Sequence, residues 1–364
     1  MDGLVAVFHE STRPFDLRRY PVPEPGPGEI LVRVRMANVC GSDLHFRAGH
    51  GPGLPKGIPH VLGHEMMGEV FALGPGATRD SQGHALKAGD RVVYAYFRDC
   101  GVCPTCLHRD GACPNRYRNW IGVSVEEYPH FHGAFGQFYV VRPGQWVFRV
   151  PEELPDHMVS AVNCALAEVI YGLHKGGLRM GDTVVVQGAG GLGLYATAVA
   201  REMGAGKIVV SDLLQHRLET AEAFGADHVL NASYTDPQER ESRVKEWTGG
   251  HGADLVIELT GDPKVVQEGI NMLRPGGRYV LIGNINLGLT TTLDPATLVR
   301  YSRNLIGIIV YEGWAIPRAL EFLLKMRKRY PLDKVVSHTF PLESINQAFE
   351  VASQRQCLRV GLIP

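Results

Sequence analysis

Residues 182–212, DTVVVQGAGGLGLYATAVAREMGAGKIVVSD, limit the fold of this chain more than any other segment. Thr183 to Gln187 is a β-branched, apolar run of the kind found in a strand that is buried on both faces. The glycines that follow have the spacing G-x-G-x-x-G and lead into a helical pattern, after which a second strand ends at Asp212. The segment therefore predicts a strand–turn–helix–strand unit of a parallel sheet.

The glycine turn in this unit predicts that a dinucleotide binds there. Gly188 permits the tight turn, Gly190 lets the backbone approach a pyrophosphate, and Gly193 lets the helix pack against the strand. The helix N-terminus then offers unpaired N–H groups to the anion. Asp212 lies 19 residues after Gly193, where its carboxylate can accept hydrogen bonds from the adenine-ribose hydroxyls. The residues predicted to bind this ligand are Gly188, Gly190, Gly191, Leu192, Gly193, Asp212 and Arg217.

The pattern of strands and helices predicts two domains. Strand-like runs near residues 228, 253, 278 and 304 alternate with helical patterns, which indicates an α/β chain with a doubly wound parallel sheet. Before residue 100 the strands are short and divided by Gly and Pro, as in a β-rich domain. The last fifty or so residues hold two amphipathic helices and two strands, which we expect to return to the first domain. The predicted domains are residues 1–160 with 315–364, and residues 161–314.

The composition and charge of the chain are those expected of an α/β enzyme of the cytoplasm. The chain has 364 residues, enough for about two domains, and 45% of them are apolar. Its formal net charge of −1 gives no reason to expect nucleic acid or an anionic membrane as a partner. The start, MDGLVAVFHE, reads as a first strand and not as a signal peptide. No apolar run reaches the roughly 18 residues of a membrane-spanning helix.

A dense group of cysteines lies in residues 99–115, DCGVCPTCLHRDGACPN. Cys100, Cys103, Cys106 and Cys113 are four of the seven cysteines in the chain. In a reducing cytosol such groups rarely form disulfides, and thiolates at this spacing can converge on one Zn²⁺. Four sulfur ligands leave no open position, so the sequence predicts a structural zinc that holds a lobe poor in apolar residues. Free thiols or a redox pair of Cys103 and Cys106 are the alternatives.

The remaining cysteines suggest a second metal site. Cys40 lies in VCGSDLHF, His64 follows 24 residues later in VLGHEMMGEV, and Cys164 lies far downstream in VNCALAEVIYG. One His and two Cys are a known ligand set of catalytic zinc, with the fourth position open to substrate. Cys357 is left over, and we expect it to pack as a small apolar residue.

Together these segments resemble the zinc-dependent medium-chain dehydrogenase/reductase family, which includes alcohol, polyol and threonine dehydrogenases. CGSDLHF is similar to the family's first-ligand segment, GHEMMGEV to its zinc-binding box, DCGVCPTCLHRDGAC to its structural-zinc lobe, and GAGGLG to its cofactor turn. The gap before Cys113 is six residues, where the family usually has seven. The resemblance runs nearly end to end. It implies a GroES-like catalytic domain, a Rossmann domain, NAD(P) as hydride carrier and an active site in the cleft between the domains.

The resemblance also implies a proton relay beside the second zinc. The metal would lower the pKa of an alcohol hydroxyl, Ser42 would take its proton, and His45 would pass that proton to solvent by way of the nicotinamide ribose. Histidine suits the exit because its charge changes near neutral pH. A polar turn that opens a helix is the structural alternative for these residues.

The third catalytic ligand in this family is Cys in many alcohol dehydrogenases and Glu in many polyol dehydrogenases. Counting back from GGLRMGD puts Cys164 at that position, with Glu168 one helical turn further on. A thiolate suits a borderline-soft metal, which favours Cys164. Glu168 or Glu65 is the alternative ligand. Otherwise we expect Glu65 beside the metal and Asp43 as the group that orients His64.

The predicted function is hydride transfer between a secondary alcohol or polyol, or its ketone, and NAD, with two zinc ions per chain. NAD is favoured over NADP because Asp212 would repel the 2′-phosphate and the first Arg after it is Arg217. One alternative is a zinc-free NADPH enone or quinone reductase on the same fold, which would lack the Cys40/His64 pair. Another is a non-enzymatic zinc- or nucleotide-binding scaffold, which would not need a proton relay.

Assembly and the substrate pocket are predicted from two further segments. RNLIGIIVY, residues 303–311, predicts an edge strand of the nucleotide-domain sheet, and such an edge invites pairing into a homodimer or homotetramer. Residues 49–60 are a candidate rim of the pocket. The loop 116–132 either walls the pocket or covers the cysteine lobe with its aromatic residues, which are Tyr117, Trp120, Tyr128 and Phe131.

Overall fold

The computed structural model describes residues 1–11, 13–49, 57–108, 111–118, 121–355 and 357–364. These residues form two compact units. The first unit is Met1–Cys164 with Ile316–Lys325 and Leu332–Pro364, and the second is Ala165–Ala315 with Met326–Pro331. The sequence puts the first division at 160/161, whereas the first unit runs on to Cys164. It also assigns residues 326–331 to the first domain, whereas they pack with the second unit.

Strands occur along the whole length of the chain. They are β1 (Asp2–Phe8), β2 (Asp16–Pro21), β3 (Ile30–Val39), β4 (His60–Val61), β5 (Glu65–Leu73), β6 (Arg91–Tyr94), β7 (Phe97–Arg98), β8 (Tyr117–Arg118), β9 (Phe138–Val141), β10 (Val147–Arg149), β11 (Thr183–Gln187), β12 (Lys207–Asp212), β13 (His228–Asn231), β14 (Ala253–Glu258), β15 (Leu273–Leu281), β16 (Asn304–Gly307), β17 (His338–Pro341) and β18 (Val360–Ile363).

The helices lie mostly in the second half of the chain. They are α1 (Gly41–Arg47), α2 (Pro104–His108), α3 (Asp156–Val159), α4 (Ala167–Lys175), α5 (Gly191–Glu202), α6 (Gln215–Ala223), α7 (Pro237–Trp247), α8 (Val265–Met272), α9 (Ala296–Tyr301), α10 (Ala315–Met326) and α11 (Ile345–Ser353). A π-helical turn, Val162–Leu166, precedes α4. No helix among the described residues is long and apolar enough to cross a membrane.

Antiparallel strands build most of the first unit. Its larger sheet has the order β10-β6-β5-β3-β18-β17, with β9 also paired to β3, and its smaller sheet has the order β2-β1-β4. Residues 360–362 of β18 pair with residues 39–37 of β3, so the C-terminal segment completes a sheet begun by the N-terminal one. A core of Val5, Val7, Leu31 and Phe131, all at most 1% exposed, packs beneath these strands.

The second unit has a parallel sheet of order β13-β12-β11-β14-β15-β16. Val184, Val185 and Val186 of the central strand β11 are fully buried, as the run of β-branched residues predicts. The chain builds β11 to β13 in one direction and then returns to add β14 to β16 on the other side of β11. The predicted doubly wound α/β fold is therefore confirmed. The order reverses between β11 and β14, which is where sheets of this kind bind ligands at their carboxyl ends.

Candidate active site

The four clustered cysteines converge within the first unit. Sγ of Cys103 lies 3.5 Å from that of Cys106 and 3.9 Å from that of Cys113. Sγ of Cys100 lies 3.6 Å from that of Cys113 and 3.9 Å from that of Cys106. A tetrahedron with Zn–S bonds of about 2.3 Å has edges of about 3.8 Å. Hydrogen bonds from the backbone N–H groups of Val102 and Cys103 lower the pKa of Cys100 to about 6, which favours the thiolate that a metal requires.

The cysteine lobe, residues 97–118, has little apolar packing of its own. Val102 and Leu107 are 78% and 69% exposed. Arg116 forms an ion pair with Asp99, and its guanidinium lies 4.8 Å from the centre of the Phe97 ring. A bound ion would therefore supply most of the cohesion of the lobe.

A second group of possible metal ligands lies in the same unit. The ligand atoms of Cys40, His64, Glu65 and Cys164 are all within 4.8 Å of one another. Cys40 follows β3, His64 immediately precedes β5, and Cys164 lies in the π-helical turn. Three separate parts of the chain thus bring together Cys40, His64 and Cys164, the residues predicted from the sequence to bind the catalytic metal.

Helix α1 carries the residues of the predicted proton relay. Cys40 is its N-cap, and its backbone N–H donates to Oδ2 of Asp43 at 2.9 Å. The other carboxylate oxygen of Asp43 lies 3.6 Å from Nδ1 of His64. Oγ of Ser42 lies 3.5 Å from Nε2 of the same ring. His45 follows Ser42 by three residues within the helix, so the two side chains are neighbours on one face.

The π-helical turn separates Cys164 from Glu168. Its i→i+5 hydrogen bonds widen the turn, so residues four apart do not stack on one face as they do in an α-helix. Asn163, inside the turn, donates to the carbonyl oxygen of His64 at 3.0 Å and so holds the turn against the start of β5. The carboxylate of Glu168, in α4 of the second unit, accepts the backbone N–H of Val310 at 2.9 Å.

Arg359 is a functional candidate that the sequence does not reveal. Its guanidinium forms an ion pair with Glu65, and the two residues are 5% and 0% exposed. The partners lie 294 positions apart in the chain, so no local pattern points to the pair. Burial raises the pKa of Glu65, and the positive charge of Arg359 opposes that shift.

The charges and donor atoms of the second group fit a cation. Oε1 of Glu65 is buried and has no hydrogen-bond partner among the described residues, which is costly unless a positive charge lies beside it. A hydrogen bond with Cys164 and the charge of His64 hold the pKa of the Cys40 thiol well below its ordinary value. Two thiolates and one imidazole are a zinc set with room for a further ligand, whereas the four thiolates of the lobe are a closed set.

The glycine turn of the second unit requires glycine at two of its positions, Gly188 and Gly193. Gly188 has a φ of +101°, a conformation that other residues rarely adopt. A Cβ on Gly193 would lie 1.8 Å from the carbonyl oxygen of Gly188, so the close approach of α5 to β11 requires glycine there. Gly190 is the N-cap of α5, and Gly191 and Leu192 form its first turn. This cradle fits a pyrophosphate at the helix N-terminus.

Asp212 and Arg217 lie at the edge of the same turn. Oδ2 of Asp212 accepts the backbone N–H of Ala189 at 2.7 Å, and Oδ1 accepts that of Leu214 at 2.9 Å. A Cβ on Gly190 would lie 3.7 Å from Nη1 of Arg217. The two charged side chains therefore flank the position where the adenine ribose of a dinucleotide would lie.

The aromatic residues of the loop 116–132 that the structure describes lie in different environments. Tyr117 belongs to β8, and its ring lies 5.4 Å from the guanidinium of Arg98, so it is part of the cysteine lobe. Phe131 is 1% exposed within the core of the first unit, and Tyr128 is 66% exposed. Trp120 and most of the candidate rim, residues 50–56, lie outside the described residues.

Comparison with known proteins agrees with this architecture. Residues 26–152 match the alcohol dehydrogenase GroES-like domain, and residues 191–325 match the zinc-binding dehydrogenase domain. The chain is 32% identical to 5-exo-hydroxycamphor dehydrogenase of Pseudomonas putida, over 91% of this chain and 90% of that protein. It is 31% identical to sorbitol dehydrogenase of Bacillus subtilis, over 99% of this chain and 96% of that protein.

A solved structure extends the likeness to three dimensions. An alcohol dehydrogenase from Thermotoga maritima superimposes with a TM-score of 0.93 at 31% identity, and the match covers 100% of both chains. The first unit is thus GroES-like and the second is a Rossmann domain, as the resemblance of the motifs implies. The protein belongs to the zinc-dependent medium-chain dehydrogenase/reductase family and is an oxidoreductase that acts on CH–OH donors.

Proposed function

We propose that the protein oxidises a secondary alcohol, or reduces the matching ketone, with NAD as the hydride carrier. The observation that carries this proposal is the second ligand group, in which Cys40, His64 and Cys164 present their donor atoms within 4.8 Å of one another. Ser42, 3.5 Å from His64, supplies a hydroxyl beside it. The named substrates of the relatives support the class, because hydroxycamphor and sorbitol both contain secondary alcohols.

Two zinc ions per chain belong to the proposal. Cys40, His64 and Cys164 would hold the catalytic ion, and the cysteine lobe would hold the structural one. Bound zinc supplies Lewis acidity that makes an alcohol proton easier to remove, and nicotinamide accepts the hydride. The zinc-free reductase is not favoured, because both ligand groups are present in this chain. None of the seven cysteines forms a disulfide, which supports a reducing, cytoplasmic location.

In this proposal the residues of α1 manage the proton of the substrate hydroxyl. Ser42 accepts it at Oγ and at the same time gives up its own hydroxyl proton, and His45, on the same helix face, takes up a proton from this relay and releases it to solvent. Asp43 holds the imidazole of His64 from its Nδ1 side, so that Nε2 faces the other ligands. Arg359 balances the charge of Glu65 and keeps that buried carboxylate in place.

A substrate screen tests the proposed function. The zinc-loaded protein is incubated with NAD and a panel of secondary alcohols, polyols and primary alcohols, and NADH absorbance is followed. We expect turnover with one or more secondary alcohols. A parallel assay with NADPH and enones or quinones measures the alternative activity, and enone reduction without any alcohol oxidation would contradict the proposal.

The cofactor preference follows from the charge beside the glycine turn. We expect kcat/KM to be at least about tenfold higher with NAD than with NADP, because Asp212 would repel a 2′-phosphate in a partly dry site. Asp212→Ser should narrow or reverse the preference, since Arg217 lies close enough to attract the phosphate. Initial rates with both cofactors measure this. A higher kcat/KM with NADP in the unmodified enzyme would contradict the assignment.

The edge strand β16 supports a proposed dimer. β16 is the outermost strand of the parallel sheet, and exposed apolar residues precede and follow it in the chain, among them Val299 at 80% and Ile309 at 46%. Two copies related by a two-fold axis would pair these edges and cover that surface. We expect light scattering to give a dimer or tetramer. Ile309→Lys should shift the protein towards monomer and Met180→Lys, at a residue 90% exposed, should not, whereas a monomeric parent protein would rule the interface out.

A further inference from the structure

The nicotinamide half of the proposed dinucleotide still lacks assigned residues. The glycine turn and Asp212 lie at the carboxyl ends of β11 and β12, where the adenine half would bind. In a doubly wound sheet the second nucleotide lies over the other half of the sheet, beyond the reversal of strand order. In this chain that place is the carboxyl end of β14 and β15.

Close contacts connect the glycine turn to that second place. A Cβ on Gly188 would lie 3.1 Å from Cγ2 of Thr260, in the loop after β14. A Cβ on Gly283, in the loop after β15, would lie 2.9 Å from Oε1 of Glu258, the last residue of β14. The three loops are therefore neighbours. Two strand spacings, together about 10 Å, separate β11 from β15, a distance that an extended dinucleotide spans.

The loop after β15 contains buried amide groups without partners. Asn286 is 8% exposed, whereas its neighbours Ile285 and Leu287 are 37% and 89% exposed. Among the described residues, neither Nδ2 nor Oδ1 of Asn286 has a hydrogen-bond partner, and Nδ2 of Asn284 has none either. Buried amides are nearly always hydrogen-bonded, so these amide groups at a ligand-binding edge are suited to bind a ligand with donor and acceptor groups of its own.

We propose that Asn286, together with Asn284, hydrogen-bonds the carboxamide group of the nicotinamide ring. The carboxamide presents one carbonyl acceptor and one NH₂ donor, and an asparagine amide is the complement of both. These bonds would fix the rotation of the ring about its glycosidic bond and so select the face that exchanges hydride. The proposal rests on the proposed function, since it requires that a nicotinamide dinucleotide is the ligand.

Calorimetric binding to the zinc-loaded protein without alcohol tests this assignment. The ligands are NADH and ADP-ribose, which lacks the nicotinamide. Asn286→Leu should weaken NADH binding about tenfold, because it removes the amide but keeps the volume, and should leave ADP-ribose binding within about twofold. Asn271→Leu is the matched control, because the side chain of Asn271 accepts a hydrogen bond from its helix neighbour Gln267 in α8, and it should change neither affinity.

Thermal unfolding separates a binding role from a structural one. Without ligand, Asn286→Leu should keep or raise the melting temperature, since it removes a buried amide for which the described part of the chain provides no hydrogen-bond partner. An analogue whose carboxamide is replaced by an acetyl group should bind the parent protein more weakly than NAD, and Asn286→Leu should abolish that difference.

Three results would overturn the assignment. The first is unchanged NADH affinity in Asn286→Leu. The second is an equal loss of NADH and ADP-ribose with a lower melting temperature, which would show that Asn286 only supports the fold. The third is a parent protein that binds neither ligand, which would also remove the proposed function, whereas the first two leave it standing.

Discussion

Replacing Cys164 with alanine is expected to remove one zinc ion per chain and to lower kcat about a thousandfold. Lewis-acid catalysis contributes several kcal/mol to the barrier, and each 1.36 kcal/mol or so is a factor of ten in rate. The variant should fold, because Cys164 is a small buried side chain that alanine replaces with little loss of packing. Metal analysis of the purified variant and alcohol-dependent formation of NADH measure the two effects.

Glu168→Gln is the matched comparison for this experiment. The amide oxygen of glutamine can still accept the backbone N–H of Val310, so we expect two zinc ions and most of the turnover to remain. If the Cys164→Ala protein retains both ions and near-normal turnover while Glu168→Gln loses an ion, the ligand assignment is reversed.

The second large effect is expected in the cysteine lobe. The parent protein should contain two zinc ions per chain, and Cys103→Ser should lose one of them. The lobe has little apolar packing to replace the ion, so the free energy of unfolding should fall by about 3 kcal/mol and the melting temperature by about 10 °C. Metal analysis and thermal unfolding of the two proteins measure the change.

Cys357→Ser provides the control for that change. Cys357 is buried and belongs to neither ligand group, and its thiol donates to the carbonyl oxygen of Val351, a bond that a serine hydroxyl can also make. We expect this variant to keep both ions. A Cys103→Ser protein that still holds two zinc ions would show that the lobe does not bind one through all four thiolates.

The sequence predicts most of the fold because strands, turns and helices are each recognisable from patterns of neighbouring residues. The apolar run of β11 and the three glycines after it define the strand, turn and helix without reference to the rest of the chain. The two ligand groups are recognisable for a similar reason, since cysteine and histidine are few and their spacing matches metal chemistry. The fold class and the family follow from these features.

Other features depend on contacts that no local pattern reports. Arg359 meets Glu65 only because β18 pairs with β3. The sequence places Glu168 one α-helical turn beyond Cys164, whereas the structure has a π-helical turn there. Asn286 is one of two asparagines in the loop after β15, and no sequence pattern shows that both polar atoms of its amide are buried without a hydrogen-bond partner among the described residues.

Removal and return of zinc tests the central claim most directly. The active protein is treated with a zinc chelator, and its zinc content and alcohol-dependent NAD reduction are measured before and after zinc is restored. The account predicts that turnover falls with the loss of one ion per chain and returns when that ion is replaced. Undiminished alcohol-dependent reduction of NAD by protein that contains no zinc would contradict it.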